Sequence, residues 1–304
     1  MTFPGKEVHM KAIVTGASGY IGFHLVSELL KEGYTVYAVC KNSPGYLENI
    51  EDKSNLILLD AAVSEIENRM KSEVPDIFYH LAWQGTLGDQ RADAGVQIEN
   101  EILSVEAMYA AKRIGCKKII FTGTVYERMT DEMLASEKFY GNSFYCISKK
   151  HTQDMVRQMA KQMNMKTVWV QFCHPVGKYM NEKQLFPYAV QAFCRNEPTQ
   201  FGSCENFFDI ITVKYLVKGL RLLGENDVPG YLYYIGSGKP RILREYLEET
   251  AKRLNYQLPV GFGIRPDDGL DLQENWFDTT TFERDTGMRC EDSIENLIES
   301  IVEK

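Results

Sequence analysis

The chain has 304 residues, of which 44% are hydrophobic and 25% are charged, and its formal net charge is −8 at pH 7. These values are ordinary for a globular protein and argue against a nucleic-acid-binding surface, because such surfaces carry an excess of lysine and arginine. No apolar run approaches the roughly 20 residues that a membrane span requires. The length allows one large core, or a large domain with a smaller appendage.

The seven cysteines are scattered along the chain and include no CxxC pair. That pattern is typical of reduced thiols and not of disulfides or a zinc site. We therefore predict a cytoplasmic protein without a bound metal, a membrane anchor or a nucleic-acid partner. Residues 1–9 lack the apolar core of a signal peptide, and we interpret them as a short disordered leader.

From residue 11 to about residue 172, apolar strand-like runs alternate with stretches of helical periodicity. The predicted strands are 11–15, 35–40, 55–60, 76–82, 117–122 and 166–172. The predicted helices are 20–31, 63–72, 94–114 and 145–163. This alternation predicts an α/β fold with a doubly wound parallel sheet, covered by helices on both faces, whose ligands lie at the carboxyl ends of the strands.

A glycine-rich segment, TGASGYIG at residues 15–22, separates the first predicted strand from the first predicted helix. Three glycines at a spacing of three let the backbone turn tightly and approach a pyrophosphate, and the helix presents unpaired N–H groups to the phosphates. The strand before it and the helix after it favour a dinucleotide-binding turn over an ordinary glycine turn. The predicted contacts are Gly16, Ser18, Gly19, Tyr20, Ile21 and Gly22.

Residues after the second and third strands extend this predicted cofactor site. Lys41 stands where an NAD-selective chain often carries an acid, so the sequence favours NADP(H) over NAD(H), with Lys41 neutralising a 2′-phosphate. The alternative is that Lys41 is only a solvated strand end. Asp60 and Ala61 follow the third strand, where Asp60 either accepts a hydrogen bond from the adenine amino group or caps the next turn.

The segment HLAWQG follows the fourth strand. Ala82 is small enough to let a dinucleotide pass close to the strand end, and we interpret His80 as a core histidine. In the helix 94–114, Asn100 lies among apolar neighbours and needs a polar partner, so we predict that it ties a neighbouring segment in place. The predicted cofactor contacts here are Leu81, Ala82, Trp83 and Asn100, with Gln84 on the substrate side.

Thr124 follows the fifth strand, and Tyr145 and Lys149 share one face of the next helix at a spacing of four. A phenol titrates near ~10, and its pKa must fall by about three pH units to exchange a proton with a sugar hydroxyl near neutral pH. A lysine ammonium and a cationic nicotinamide both favour the phenolate. We predict Tyr145 as the acid/base, Lys149 as its electrostatic helper and a ribose ligand, and Thr124 as the hydroxyl that holds the reacting oxygen.

The segments TGASGYIG, HLAW, TGT and YCISK resemble the extended short-chain dehydrogenase/reductase family, in its nucleotide-sugar epimerase/dehydratase branch. The resemblance covers about residues 11–300 and is closest in the first 175. It implies a Rossmann domain, a bound nicotinamide dinucleotide and the triad of Thr124, Tyr145 and Lys149. It also implies a homodimer formed through the helices 94–114 and 145–163.

The chain departs from the family pattern at two places. Dehydratases of this branch carry an Asp-Glu pair directly after the catalytic Thr, whereas Val125 and Tyr126 follow here, which argues against a 4,6-dehydratase. His174 stands after the sixth strand, where the family often has a substrate-contacting Asn. It either acts in the active site, by altering the choice of sugar or donating a proton, or is merely structural. Tyr126 and His174 are predicted substrate contacts, and Val176 is a predicted cofactor contact.

Beyond residue 175 we predict a smaller mixed α/β part that binds the substrate. The predicted helices are 184–195, 212–224, 241–254 and 291–303, and the predicted strands are 199–201, 206–210 and 231–235. Residues 10–175 would form the dinucleotide-binding domain, parts of 206–240 would return to it, and 176–304 would mainly bind substrate. Arg265 resembles the family's phosphate-binding loop arginine, or is a solvated loop residue; Phe201 either flanks a nucleobase or belongs to the core.

These features predict an NAD(P)-dependent oxidoreductase that acts on a nucleotide-diphosphate sugar. The reaction is either reduction of a keto-sugar or epimerisation through a transient keto-sugar, since both use the same Tyr, Lys and Thr. The alternative is a non-catalytic NAD(P)-binding protein that senses redox state or regulates a partner. The complete triad argues against that alternative, because a sensor needs no proton donor at the nicotinamide.

Overall fold

The structure is a computed structural model that describes residues 9–70, 73–267, 269 and 271–302. Of the predicted leader it describes only His9, and residues 71–72 and 303 of two predicted helices lie outside the described residues. The strands are β1 (Lys11–Thr15), β2 (Thr35–Val39), β3 (Leu56–Leu59), β4 (Ile77–His80), β5 (Lys118–Thr122), β6 (Lys166–Gln171), β7 (His174–Val176), β8 (Phe207–Phe208), β9 (Ile210–Thr212), β10 (Leu232–Tyr234) and β11 (Arg241–Ile242).

The α-helices are α1 (Tyr20–Lys31), α2 (Ile66–Met70), α3 (Ala94–Ile114), α4 (Thr130–Ala135), α5 (Ser143–Met163), α6 (Leu185–Arg195), α7 (Val213–Glu225), α8 (Leu243–Arg253), α9 (Thr280–Thr286) and α10 (Ile294–Val302). Short 3₁₀ helices cover Gly45–Asn49, Val63–Glu65, Gly88–Ala92, Val125–Met129 and Glu274–Phe277. Among the described residues, no helix combines the length and the apolar character needed to cross a membrane.

Seven strands form one sheet in the order β10-β6-β5-β4-β1-β2-β3, and every neighbouring pair in it is parallel. Helix α1 packs against α7, and α3 packs against α5. The strand order reverses between β1 and β4, and this switch point is where such sheets bind their ligands. The predicted α/β fold with a doubly wound parallel sheet is therefore confirmed.

The central strands are buried because helices cover them. All five residues of β5 and all four of β4 are buried, which fits their nearly continuous apolar sequence. His80 at the end of β4 is confirmed as a core side chain: its Nδ1 lies 2.9 Å from Thr15 Oγ1, and its Nε2 lies 3.3 Å from Ser104 Oγ. Burial lowers the pKa of His80 to about 3, so the ring is neutral at pH 7.

The second half of the chain differs from the prediction in two places. The predicted strand at 199–201 is wrong: the segment is irregular, and the Phe201 N–H donates to the Gly261 carbonyl of a neighbouring loop. The predicted strand at 206–210 is two strands, because β8 pairs with β11 while β9 pairs with β7. Asp209 lies at the break and is buried, where its carboxylate accepts from Tyr234 Oη and from the Ser237 N–H.

Candidate active site

The glycine turn is pressed against the end of β4. Gly16 has φ +68°, and a Cβ atom there would lie 2.7 Å from the Ala82 nitrogen and 2.9 Å from the Leu81 carbonyl carbon. A Cβ at Gly22 would overlap the Gly16 carbonyl oxygen. Helix α1 begins without a side-chain cap from Gly19 and without an acid in its first turn, so no carboxylate of that turn competes for its first N–H groups. This cradle fits the pyrophosphate of a dinucleotide.

The segments after β2 and β3 meet beside this turn. Lys41 is exposed, and the exposed Asp60 carboxylate accepts from the Asn42 N–H at 3.2 Å. Ala61 is buried. In this structure Asp60 ties two strand ends together; its contact with adenine and the role of Lys41 stay predictions. A Cβ at Gly45 would lie 2.8 Å from the Ser18 carbonyl oxygen, so the same segment also touches the glycine turn.

On the other side of α1, Tyr20 reaches the segment after β6. Its hydroxyl donates to the Pro175 carbonyl at 3.4 Å, next to the fully buried Val176. Gly19 is exposed at the start of α1, and Ile21 is partly buried. The structure therefore brings Tyr20 and Val176 to one edge of the sheet, where the sequence predicts that both contact the cofactor.

Asn100 holds the segment after β4. Its Oδ1 accepts from the Gln84 N–H at 2.7 Å, and its Nδ2 donates to the Gln84 carbonyl at 2.9 Å. This is the tie that an unpaired polar side chain in helix 94–114 predicts. The Gln84 side chain itself is exposed.

Gln97, which the sequence analysis missed, organises the same loop. Its Nε2 donates to the carbonyls of Gly85 (3.1 Å) and Gln90 (2.9 Å), and its Oε1 accepts from Trp83 Nε1 at 2.9 Å. It lies three residues before Asn100, so the two share one helical face. Two polar residues three positions apart on a predicted helix were the sequence signal that could have identified Gln97.

The three predicted catalytic residues lie near the carboxyl end of β5. Tyr145 lies in the first turn of α5 and is 6% exposed, and Lys149 lies one turn later and is 4% exposed. The buried Thr124 follows β5, and its side chain lowers the pKa of the Tyr145 phenol. Lys149 Nζ donates to the Thr122 carbonyl at 2.8 Å and lies 3.6 Å from the centroid of the Trp83 ring.

The electrostatics differ from the sequence expectation. Burial raises the pKa of Tyr145 to about 12, and this outweighs the lowering by Arg91 and Thr124. Burial lowers the pKa of Lys149 to about 7, against the opposing charge of Glu127. The cation that lies over the phenol ring is Arg91, whose guanidinium carbon is 4.8 Å from the ring centroid. Local helix spacing pairs Tyr145 with Lys149, but the fold adds a second cation from another segment.

Glu127 is a second residue that the sequence analysis missed. Its carboxylate is 1% exposed and accepts from the Thr124 N–H (2.7 Å), Trp169 Nε1 (3.0 Å) and Gln171 Nε2 (2.8 Å). Burial raises its pKa, while these hydrogen bonds and Lys149 lower it. Thr124 and Glu127 form a capping box, and the T-x-x-E spacing was the sequence signal for it.

His174 and Tyr126 lie on the same side of the site. Burial first, and then the charge of Arg91, lower the pKa of His174 to about 4. Its Nε2 is buried and has no hydrogen-bond partner among the residues that the structure describes. Tyr126 is buried, and its ring centroid lies 5.7 Å from the Arg91 guanidinium carbon. Arg91 therefore acts on Tyr145 and His174 and contacts Tyr126.

Phe201 and Arg265 are held by α6 and by each other. Phe201 is buried with its ring against Tyr188 and Phe193, a position that favours a packing role. The Arg265 N–H donates to the Phe201 carbonyl, and its exposed guanidinium lies 5.5 Å from the centroid of the Tyr188 ring. Asp268, in the same predicted loop, lies outside the described residues. The substrate contacts of Phe201 and Arg265 stay predictions.

No group of three or more His, Cys, Asp or Glu residues with the geometry of a metal site occurs in the part of the chain that the structure describes. The site is instead built from a phenol, hydroxyls, cations and a glycine cradle. Those groups suit proton transfer beside a bound dinucleotide.

Comparisons with known proteins agree with this arrangement. The chain is 23% identical over 266 residues to dTDP-4-dehydro-6-deoxyglucose reductase from Escherichia coli, covering 82% of this chain and 84% of the reductase. UDP-glucose 4-epimerase from Thermotoga maritima, solved with UDP-glucose, has a TM-score of 0.78 at 21% identity and covers 97% of this chain and 98% of its own. WbmG from Bordetella bronchiseptica, solved with NAD and UDP, has a TM-score of 0.74 at 15% identity, with coverages of 97% and 94%.

The family model for the NAD dependent epimerase/dehydratase family matches residues 12–236. That range contains the glycine turn, the loop organised by Gln97 and the pair of Tyr145 and Lys149. It confirms the resemblance that the motifs carry. The chain belongs to the NAD dependent epimerase/dehydratase family, within the nucleotide-sugar branch of the extended short-chain dehydrogenases/reductases.

Proposed function

We propose that this protein is an NAD(P)-dependent enzyme that acts on a nucleotide-diphosphate sugar, by reduction of a keto-sugar or by epimerisation through a transient keto-sugar. The observation that carries the proposal is the buried Tyr145 phenol, whose pKa the nearby Thr124 side chain lowers, at the carboxyl edge of the sheet that also holds the glycine cradle. Both reaction types occur among similar proteins, in the Escherichia coli reductase and the Thermotoga maritima epimerase.

The chain's own residues divide the chemistry as follows. When bound, the nicotinamide dinucleotide supplies hydride transfer. Tyr145 exchanges a proton with the sugar hydroxyl at the carbon that is oxidised or reduced, and Thr124 holds that oxygen. Lys149 keeps positive charge next to the phenol and binds the ribose. A bound cationic nicotinamide would add to this charge and favour the phenolate that burial disfavours.

The structure favours a binding role for His174 over a role as proton donor. Because its pKa is about 4, its imidazole is neutral at pH 7 and is a poor proton donor for catalysis. A neutral ring still hydrogen-bonds, and the buried Nε2 lacks a partner among the described residues. We infer that His174 binds a sugar hydroxyl, together with Tyr126 and Gln84.

The substrate's diphosphate and base would lie toward the second half of the chain. We infer that residues 10–175 bind the dinucleotide, with parts of 206–240, and that 176–304 mainly bind the nucleotide sugar through Arg265 and Phe201. The cation of Arg265 is exposed and suited to a phosphate.

A 4,6-dehydratase is disfavoured. Glu127, the acid that follows Thr124 most closely, is buried and accepts from three donors, so it is not oriented to eliminate water from a sugar. The two residues between them, Val125 and Tyr126, carry no carboxylic acid.

We propose NADP(H) as the preferred cofactor because Lys41 is exposed at the end of β2. A Lys41→Ala variant is expected to bind NADPH about tenfold more weakly, which is the loss of one charged phosphate contact, with NADH binding unchanged. Fluorescence titration of both cofactors measures this. Equal losses for both cofactors would contradict the preference.

The deciding experiment is mass spectrometry of co-purified ligands, followed by NADPH-oxidation and sugar-interconversion assays on a panel of nucleotide keto-sugars. Exchangeable NADPH with net reduction indicates a reductase, and retained NAD with interconversion indicates an epimerase.

Tyr145→Phe is expected to lose at least about a hundredfold in kcat with cofactor binding retained, because it removes the acid/base. The control is Tyr256→Phe, whose hydroxyl donates to the Glu197 carbonyl. If Tyr145→Phe left every activity and cellular effect unchanged, the redox-sensing alternative would replace the enzyme.

A further inference from the structure

Arg91 is a cation that reaches the candidate acid/base from a different segment than Lys149. It lies in the 3₁₀ helix Gly88–Ala92 and is half-buried. Its Nη1 donates to Asn142 Oδ1 at 2.9 Å, and its Nε donates to the Thr86 carbonyl at 2.5 Å. Asn142 is the N-cap residue of α5, the helix that carries Tyr145. The guanidinium thus connects the loop after β4 to the start of the catalytic helix.

The guanidinium is aimed at the two tyrosine rings of the site. Its central carbon lies 4.8 Å from the ring centroid of Tyr145 and 5.7 Å from that of Tyr126. A guanidinium at this distance is attracted to the aromatic ring, and more strongly when the ring carries a phenolate. The same contact restricts the orientation of the Tyr145 ring, which also packs edge to face with Trp83, with the ring centroids 6.3 Å apart.

No carboxylate pairs with Arg91 among the residues that the structure describes, so its positive charge is not neutralised there. Arg221 shows the contrast, since it pairs with Glu28 and Glu225. The loop that carries Arg91 is itself fixed, because Gln97 holds the carbonyls of Gly85 and Gln90. The charge therefore has a fixed place before any ligand binds.

Arg91 and Lys149 do not supply the same kind of positive charge to the Tyr145 phenol. Besides Arg91, the titratable groups with the largest effect on the pKa of Tyr145 are Cys146 on α5 and Glu127 on the turn after β5, and both raise it. Lys149 lies one turn further along α5. Burial lowers the pKa of Lys149, so this amine loses its proton more readily than an exposed lysine does. A guanidinium does not deprotonate in proteins. Glu127 carries the opposite sign and disfavours the phenolate.

We propose that Arg91 is a positioning residue for Tyr145, whose fixed guanidinium orients the phenol ring and favours its ionised form during proton exchange with the sugar hydroxyl. This deepens the proposed function and rests on it for the identity of the proton acceptor. The geometric part, a permanent cation that acts on the Tyr145 phenol, is testable without any substrate.

The first test measures the phenol directly. Difluorotyrosine is incorporated at position 145, and its ¹⁹F chemical shift is followed against pH in the otherwise unchanged chain and in Arg91→Met. The methionine variant is expected to titrate about one pH unit higher, because an opposite charge at this distance is removed. Arg91→Lys, which keeps the charge but not the planar fork, is expected to titrate between the two.

The matched control is Arg157→Met, since Arg157 also lies over a tyrosine, 5.2 Å from the ring centroid of Tyr231, and is not among the main groups that shift the pKa of Tyr145. It is expected to leave the titration at position 145 unchanged. Identical titrations for Arg91→Met, Arg91→Lys and the unmutated protein would overturn the proposal. Circular dichroism identifies a variant that fails to fold, and the lysine variant then decides the outcome.

The second test uses turnover. In Arg91→Met the limb of the kcat/KM pH profile that reports ionisation of Tyr145 is expected to move to higher pH, with KM for the cofactor unchanged. A uniform loss at all pH values would indicate a structural role instead and contradict the proposal. If the unmutated protein turned over no nucleotide sugar, the proposed function would fail, while the fluorine titration would still decide the effect of Arg91.

Discussion

At the residue scale, Gly16 is a position with little freedom to change. Its φ of +68° disfavours any side chain, and the Ala82 backbone fills the space that a Cβ would need. The conformation and the contact act together, because the turn must both reverse the chain and lie flat against β4. These two constraints explain why the TGASGYIG segment has a glycine at position 16.

We expect Gly16→Ala to lower the free energy of unfolding by about 3 kcal/mol and to abolish dinucleotide binding, since the turn must move away from β4. Urea unfolding and a cofactor titration measure the two effects. Gly33→Ala is the control: φ there is +82°, but no atom lies within 4 Å of the added Cβ. Strain alone is expected to cost about 1 kcal/mol. Equal costs at both positions would show that the contact with β4 is unimportant.

His174 makes stability depend on pH. Its pKa in the folded protein is about 4, below the ordinary value of 6.5, because the ring is buried near Arg91. Between these values the unfolded chain binds the proton and the folded protein does not, so stability falls as pH drops from 6.5 towards 4. His174→Gln is expected to reduce this loss in urea unfolding measured across that window. His80 is also buried with a lowered pKa and is present in both proteins, so the difference between them reports His174 alone. If the variant lost as much stability on acidification as the unmutated protein, His174 would not be a source of the pH dependence.

At the scale of the element, the first half of α3 differs from an ordinary surface helix, because it buries polar side chains and exposes isoleucines. Its polar residues Gln97, Asn100 and Ser104 are buried, whereas Ile98 is 55% and Ile102 is 56% exposed. The polar face holds the loop after β4 through hydrogen bonds to backbone groups that have no strand partner. On the opposite side of this half of the helix, Ile98 and Ile102 face solvent.

We expect Gln97→Leu to lower the free energy of unfolding by about 2–4 kcal/mol, because the Trp83 indole N–H and two backbone carbonyls lose their partner. The variant should also loosen the loop that carries Arg91, which tryptophan fluorescence would register as a change at Trp83. Gln200→Leu, in an exposed loop, is the control and should change stability by less than about 0.5 kcal/mol. A Gln97 variant as stable as that control would refute the role of Gln97.

At the scale of the whole molecule, the outward face of α3 continues onto α5. Ile98, Ile102 and Tyr109 on α3 and Met155 on α5 are all exposed large side chains, and the two helices pack against each other. Exposed apolar groups clustered on two adjacent helices are typical of a protein–protein interface. We propose that this face forms the homodimer that the family resemblance implies.

Ile102→Glu is expected to convert a dimer into a monomer at micromolar concentration, because two buried carboxylates would face each other across the two-fold axis. Light scattering coupled to size-exclusion chromatography measures the mass. Leu134→Glu is the matched control, since Leu134 on α4 is 65% exposed but lies on neither α3 nor α5. A monomeric unmutated protein, or a dimer that survives Ile102→Glu, would contradict the proposed interface.

The sequence by itself determined the parallel sheet, the glycine turn and the placement of Tyr145 and Lys149 one turn apart on the same helix. Each of these is local: alternating strand and helix periods, a glycine spacing of three, and a helical spacing of four fix geometry within a few residues. The tie between Asn100 and the segment after β4 was also accessible, because a polar residue in an apolar helix needs a partner.

Only the tertiary structure decided which groups act on the phenol. Arg91 reaches Tyr145 from a loop that Gln97 organises, and Glu127 acquires Trp169 and Gln171 as partners from another strand. Burial, which sets the pKa of Tyr145 and of Lys149, depends on everything packed around them. The conformation of the segment at Phe201 was also decided by the tertiary structure, because its backbone hydrogen-bond partners lie in a loop about 60 residues away. Short-range patterns specify elements, whereas charge and solvation at a site depend on residues that are far apart in the chain.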